Sequence, residues 1–244
     1  MSQKRPSSSV GALERHPHLA AARTPGKLRL DCHLHTMWSG DSTTTPEELA
    51  EAIAQAGLDV VCITDHSTVA GAVALREALG CRVVVGQEQR TQSGELIGLF
   101  LSERIPPGLR SARETALAIR DQGGLVYVPH PFDPLRHHLD ESVLEDLATS
   151  GLIDVIEVRN GKTSLEHLNE RAARAASRLQ LAAGAGSDAH VPEAVGSVYV
   201  EVDNFSDAPA LLRSLRGGRV VGHHFDGVRR FQPRIVPSTS RYRA

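Results

Sequence analysis

The feature that most constrains this chain is a series of imidazole and carboxylate residues, most of them placed just after a run of β-branched or aliphatic residues. It opens at Asp31-Cys32-His33-Leu34-His35-Thr36 and continues with Asp41 in Ser39-Gly40-Asp41-Ser42. His66 follows Val60-Val61-Cys62-Ile63, Glu88 follows Val83-Val84-Val85, and His130 follows Leu125-Val126-Tyr127-Val128. The series ends at Ser187-Asp188-Ala189-His190. In a strand, residues i and i+2 share a face. Asp31, His33 and His35 are therefore expected to point one way, and Cys32 and Leu34 the other. Asp188 and His190 share a face if their strand runs to its end. Most of these residues thus fall at the C-terminal ends of strands, which is where α/β barrels carry their chemistry. An acid just past Val-Val-Val needs a way out to solvent or a cation.

Imidazoles mixed with carboxylates suit Zn, Mn and Fe. No thiol pair accompanies them, which argues against a structural zinc knuckle. Between these points strand and helix patterns alternate. Pro46-Glu47-Glu48-Leu49 begins a helix that runs through Ala56 and stops at Gly57, with acids at the positive end of its dipole. Further helices are expected over 68–79, 111–122, 164–179 and 208–215, and additional strands over 95–101 and 197–202. The alternation predicts an α/β fold with a mostly parallel sheet. The placement of the polar residues favours a barrel over a doubly wound sheet.

Taken together, Asp31-x-His33-x-His35-Thr36, Ser39-Gly40-Asp41, Ile63-Thr64-Asp65-His66, Gly86-x-Glu88, His130-Pro131 and Ser187-Asp188-Ala189-His190 resemble the polymerase and histidinol phosphatase (PHP) domain family of metal-dependent phosphoesterases, over about residues 28–225. The resemblance implies a distorted seven-stranded α/β barrel with two or three divalent metal ions (Zn, Mn or Fe) in one cleft. It implies that His33, His35, Glu88 and Asp188 hold one metal, that Glu88 bridges to a second held by His130, and that Asp41, His66 and His190 hold the third. Many members supply a further His or Cys to the second metal, between the His-Pro and Ser-Asp-x-His motifs. Here that stretch offers His137, His138, His167 and the segment Glu157-Val158-Arg159-Asn160, of which Asn160 is the preferred candidate. Asp31 and Asp65 are expected to orient ligand imidazoles. Asp188 and His190 are expected to accept or return a proton. Arg136, Arg159 and Lys162 follow strand ends and could clamp a phosphate. Arg159, expected to emerge facing the metals, is placed with Asn160 in substrate binding.

With 244 residues, one domain is the expectation: a leader over 1–26, a PHP-type catalytic domain over 27–226 and a basic tail over 227–244. A formal net charge of −2 gives no global basic field of the kind that draws nucleic acid. Three dispersed cysteines form no disulfide framework, and no apolar run is long enough to span a bilayer. A cytoplasmic setting with no membrane partner follows as the expectation. His16, His18, His137, His138, His167, His223 and His224 read as solvated bystanders. The expected function is hydrolysis of a small phosphorylated or nucleotide-type substrate by metal-activated water. Trimming of nucleic-acid ends and a non-catalytic metal-binding or regulatory role are the alternatives. Only Trp38 near a metal motif could offer a base a stacking platform.

Overall fold

Nine strands form a single sheet in the order β7-β6-β5-β4-β3-β2-β1-β8-β9. The computed structural model describes residues 22–108 and 110–226; most of the expected leader, with His16 and His18, and the tail 227–244 lie outside the described residues. Strands β1 (Leu28–Leu34), β2 (Val60–Ile63) and β3 (Arg82–Thr91) run parallel. Strand β4 (Gly94–Leu99) folds back antiparallel on β3 and also pairs antiparallel with β5 (Leu125–Val128). Strands β6 (Val155–Asn160) and β7 (Ala182–Gly186) then continue parallel to β5. The sheet is therefore mixed at β4, where the Gln92-Ser93 turn reverses the chain.

Strand β1 decides how the sheet curls. Its first half, Leu28–Leu30, pairs antiparallel with β8 (Val198–Val202), which in turn carries β9 (Arg219–Gly222). Its second half turns instead to the segment just past β7. The Asp188 amide donates to the His33 carbonyl at 2.7 Å, and the His35 amide donates to the Ala189 carbonyl at 3.0 Å. Seven strands thus make a nearly closed, distorted barrel, with β8 and β9 as an added flap. The seam requires small residues. A Cβ on Gly186 would stand 2.5 Å from the His33 Cβ, so β7 can lie against β1 only because that side chain is missing.

The helices form where the sequence supplies caps and an apolar face. Helix α1 (Pro46–Ala56) opens with a capping box between Thr45 and Glu48, and α3 (Ala112–Arg120) with one between Ser111 and Glu114. Helix α2 is confined to Ala70–Leu75, shorter than expected; its N-cap is Val69, and the Thr68 hydroxyl accepts from the Ala70 amide at 3.1 Å. Helix α5 (Glu166–Arg178) buries Leu168, Ala172, Ala175 and Ala176 along one face. Helix α4 (Glu141–Thr149) was not anticipated, while α6 (Ala208–Leu215) has the expected bounds. Outside the barrel, α3–α5 cover Val126, Val128 and Ile156, and α1 and α2 cover Leu34, Val61 and Ile63. Inside, Cys32, Cys62, Ile97, Tyr127 and Val155 form one apolar cluster that continues beneath α6. Both interior cysteines are free thiols. Among the described residues no helix is long and apolar enough to cross a membrane.

Tyr127 is the largest side chain in this interior, and β7 makes room for it. A Cβ on Gly184 would meet the Tyr127 ring at 2.3 Å and Val155 at 2.8 Å. Gly184→Ala is therefore expected to lower stability by ~1–3 kcal/mol, the usual cost of overpacking. Urea unfolding reads this directly; an unchanged midpoint would mean that Tyr127 does not fill the space over β7.

Candidate functional site

The structure brings all eight residues assigned to the metals together at the C-terminal ends of the strands. They fall into three groups, in each of which one donor atom per residue lies within 4.8 Å of the others: His33, His35 and Asp188; His35, Asp41, His66 and His190; and Glu88, Glu95 and His130. Most leave regular backbone just before they contribute. His66 comes three residues after β2, and His130 and Asp188 sit just past β5 and β7 with φ of 29° and 50°. The expected strand through Ser187–His190 is corrected here, because β7 stops at Gly186 and the left-handed turn at Asp188 sends the chain back against β1.

Strict alternation along β1 is also corrected. The pairing of β1 with β2 slips by one residue between Asp31 and Leu34. Before the slip Cys32 faces the apolar interior, and after it His33 and His35 face the polar cluster while Leu34 packs outward. Asp31 pairs with Val61, whose side chain packs under α1, so Asp31 does not share the imidazole face. A bulge that re-aims side chains is a common device beside a site.

The electrostatics of the central group follow from burial. His33 Nε2 lies 3.0 Å from His35 Nε2, 3.4 Å from Glu88 Oε2 and 3.7 Å from Asp188 Oδ1. Burial disfavours charge on His33, yet Asp188, Glu88 and Glu157 outweigh it and hold the imidazole well above its usual pKa. Burial, reinforced by His190 and His66, keeps His35 well below. Burial pushes Asp188 and Glu88 up, but the surrounding cations and imidazoles win and hold both well below the carboxylate range, Lys162 and Arg136 for Asp188 and His33 and His66 for Glu88. In the second group, His190 Nε2 and His66 Nε2 stand 3.0 and 3.3 Å from Asp41 Oδ2. His66 is raised to about 9, because Glu88 and Asp41 overcome its burial. In the third, His130 Nε2 is 3.1 Å from Glu88 and 3.8 Å from Glu95. Burial, then Glu88, raises Glu95 to about 7.

Glu95 was missed by the sequence reading. It pairs with Arg90 across the β3–β4 hairpin, which puts it on the same inward face as Glu88. The Gln92-Ser93-Gly94 turn was the available signal. Asn160, preferred as the further ligand, points into the cluster but is otherwise engaged. Its Nδ2 donates to Glu157 at 2.9 Å and to Asp188 at 3.3 Å, and its Oδ1 accepts from the Lys162 amide.

Two further expectations need correction. Asp31 and Asp65 touch no imidazole. Asp31 Oδ1 accepts from the Ser187 and His33 amides, and Asp65 accepts from the Thr36 amide and hydroxyl at 2.6 and 2.7 Å. They hold the backbone turns that bear the imidazoles, and burial raises them to about 6 and about 7. The rings themselves are held by Glu157 at His33 Nδ1, by Ser39 at His35 Nδ1 and by the Asp188 carbonyl at His190 Nδ1. Arg159 does not face the cluster either. The pairing of β6 with β7 slips between Glu157 and Arg159, so Asn160 takes the inward direction, and Arg159 pairs with Glu166 and the Gly222 carbonyl. The basic groups at the cluster are Arg136, 3.0 Å from Asp188 Oδ2, and Lys162, 3.4 Å from Asp188 Oδ1 and 3.1 Å from His190 Nδ1. Thr163 Oγ1 donates to Asp133 Oδ2 at 2.7 Å and ties the two loops that carry them. His167 is exposed on α5, as expected of a bystander.

The donors suit divalent ions. Two imidazole nitrogens facing each other at 3.0 Å need a proton or a cation between them, since both cannot present lone pairs. Asp41 Oδ1 and His130 Nδ1 are buried with no hydrogen-bond partner. Groups of this size leave room for an ion bonded at ~2 Å. In the metal-free chain, protons on His33 and His66 do part of this work. Both imidazoles have folded pKa values above the unfolded value near 6.5, so they stabilise the fold below that pH and lose the effect as pH rises toward about 9. The metal-free chain should therefore melt at a lower temperature at pH 9 than at pH 7. With Mn²⁺ or Zn²⁺ in excess the slope should flatten or reverse, because an ion needs the deprotonated rings. Parallel calorimetric scans check both; identical pH slopes with and without metal would separate the cluster from metal binding.

Comparison with known proteins agrees with this geometry. The PHP domain profile matches residues 31–180, and the PHP-associated profile matches residues 166–220. The uncharacterized protein MJ1587 of Methanocaldococcus jannaschii is 39% identical over 131 residues, covering 48% of this chain and 76% of that protein. The uncharacterized protein MJ0417 of the same organism is 34% identical over 176 residues, covering 71% and 70%. A two-domain Bacteroides vulgatus protein containing a predicted PHP-like metal-dependent phosphoesterase superposes with a TM-score of 0.66 at 18% identity, covering 83% of this chain and 67% of that one. A barrel with its polar cluster at one end and a family profile spanning more than half the sequence lead to one assignment: this chain belongs to the PHP domain family.

Proposed function

We propose that this protein is a metal-dependent phosphoesterase that hydrolyses small phosphomonoesters. The observation that carries the reading is the placement of Arg136 and Lys162 on either side of Asp188, at the edge of the imidazole–carboxylate cluster. His33, His35, Glu88 and Asp188 would hold one divalent ion, Glu88, Glu95 and His130 a second, and Asp41, His66 and His190 a third. Ions held there would lower the pKa of water and neutralise phosphoryl charge.

The chain's own residues then divide the remaining work. Arg136 offers a planar fork of donors and Lys162 a point charge, a pairing suited to a terminal phosphate dianion. Burial lowers the Lys162 pKa despite Asp188 beside it, and Arg136 stays charged throughout. His190 stands 3.4 Å from Asp188, and these two residues accept and return the proton that hydrolysis requires. Glu166 occupies Arg159 elsewhere, so Arg159 takes no part in phosphate binding. A near-neutral net charge favours a small substrate over a polynucleotide.

The test is a panel of phosphomonoesters, phosphodiesters and a labelled oligonucleotide, assayed with Mn- and Zn-loaded protein. A monoester is expected to turn over fastest. Arg136→Met and Lys162→Met should each lower kcat/KM on it about tenfold or more, as loss of a charge-assisted hydrogen bond does, with metal content unchanged. Arg159→Lys should be silent. Turnover confined to the oligonucleotide, or no turnover of any ester by metal-loaded protein, would contradict the reading.

A further inference from the structure

Glu157 is fully buried on β6 and belongs to none of the three donor groups. Its carboxylate nevertheless accepts four hydrogen bonds. Oε1 takes the Tyr127 hydroxyl at 2.9 Å and His33 Nδ1 at 3.2 Å. Oε2 takes the His130 amide at 2.6 Å and Asn160 Nδ2 at 2.9 Å. Asn160 in turn reaches Asp188. One side chain therefore contacts His33 of the central group and the backbone of His130 of the Glu88–Glu95 group, and it reaches Asp188 through one intermediary.

The chemistry of each contact is specific. An ionised carboxylate only accepts, so it fixes the hydrogen of His33 on Nδ1 and leaves Nε2 to face Glu88, Asp188 and His35. The His130 residue sits at φ 29°, a backbone conformation that persists only when its surroundings hold it. The bond from its amide to Glu157 is the shortest of the four and supplies that restraint. The slip in β6 comes just after Glu157, so the carboxylate and Asn160 both turn inward where strict alternation would have aimed Arg159.

We propose that Glu157 is a positioning residue for divalent-cation binding, setting the tautomer of His33 and the turn at His130 so that two donor groups are arranged by one carboxylate. The alternative is an ordinary buried hydrogen-bond acceptor that supports the fold and nothing more. The proposal rests on the cluster holding cations, and it is read without any substrate, so phosphoester turnover does not bear on it.

Glu157→Gln keeps the shape but offers one acceptor oxygen in place of two, so it cannot receive all four donors. The full chain is purified metal-free, its fold checked by circular dichroism, and Mn²⁺ alone titrated by equilibrium dialysis with elemental analysis. The dissociation constant for Glu157→Gln is expected to rise ~10–100-fold, the usual effect of losing a partner behind a ligand. Nitrogen-15 NMR of the protein loaded with diamagnetic Zn²⁺, which would replace the Nε2 proton, should report the His33 hydrogen on Nδ1 in the native chain and a changed ring signal in the variant. Tyr127→Phe removes a donor from the same carboxylate while leaving the His33 and His130 contacts, and should alter Mn²⁺ affinity by less than about threefold. Should Glu157→Gln fail to fold, Glu157→Asp, which draws both oxygens back by one methylene, is measured the same way and is expected to weaken Mn²⁺ binding with an altered His33 signal. A folded variant at Glu157 that binds Mn²⁺ as tightly as the native chain, with the His33 signal unchanged, overturns the proposal. So does a Tyr127→Phe variant that loses as much affinity as Glu157→Gln, or a native chain that binds no Mn²⁺.

Discussion

Glu88 is a buried carboxylate with the rings of His33, His35, His66 and His130 all within 3.4 Å. Charges withdrawn from water in this way are costly unless their partners are equally well placed. Asp188 meets the same demand with Arg136 on one oxygen and Lys162 and His33 near the other. Protons can balance part of this charge, and one can lie between the facing His33 and His35 nitrogens, but they leave Asp41 Oδ1 and His130 Nδ1 without partners. Divalent cations at the strand ends could take these facing imidazoles and carboxylates as ligands together, and the strands, turns and loops converge on that cluster.

The backbone departs from regularity where this requirement is met. Ser67, His130 and Asp188 all have positive φ, and each costs of order ~1–3 kcal/mol unless the surroundings enforce it. Here they do. Ser67 donates its amide to the Glu88 carbonyl, His130 gives its amide to Glu157, and Asp188 gives its amide to the His33 carbonyl. The slips in β1 and β6 act in the same direction. Each adds one residue to a strand whose lower half packs the apolar interior, and so lets the upper half present His33, His35 or Asn160 inward. The small residues of β7 complete the arrangement, because a Cβ at Gly186 or Gly184 would strike His33 or Tyr127.

Much of this was legible in the sequence. Polar donors placed after β-branched runs gave the barrel class and the end at which the donors meet, since strand ends are set by local composition. The starts of α1 and α3 and the bounds of α6 were readable for the same reason. What escaped depends on contacts between distant segments. A one-residue slip leaves no mark on composition, so the strand end was expected to aim Arg159 as well as Asn160 at the cluster, where only Asn160 turns inward, and alternation put Asp31 on the imidazole face when it holds the Ser187 amide. Glu95 comes to the site only through the register of the β3–β4 hairpin, and Glu157 reads as an ordinary strand residue until Tyr127, His33 and His130 close on it. Strand β9 consists of four residues at the edge of the sheet and is half exposed, too short and too weakly patterned to read.

Divalent-cation binding by the converging donors is open to direct measurement. The most direct measurement is a crystal structure of the full chain soaked in Mn²⁺, with anomalous difference density recorded at the manganese edge. More than one peak is expected, each bonded at ~2 Å to the donors of one group, with the first between His33, His35, Glu88 and Asp188. Empty difference density among those residues in crystals saturated with Mn²⁺, or manganese bound only elsewhere on the chain, would contradict it.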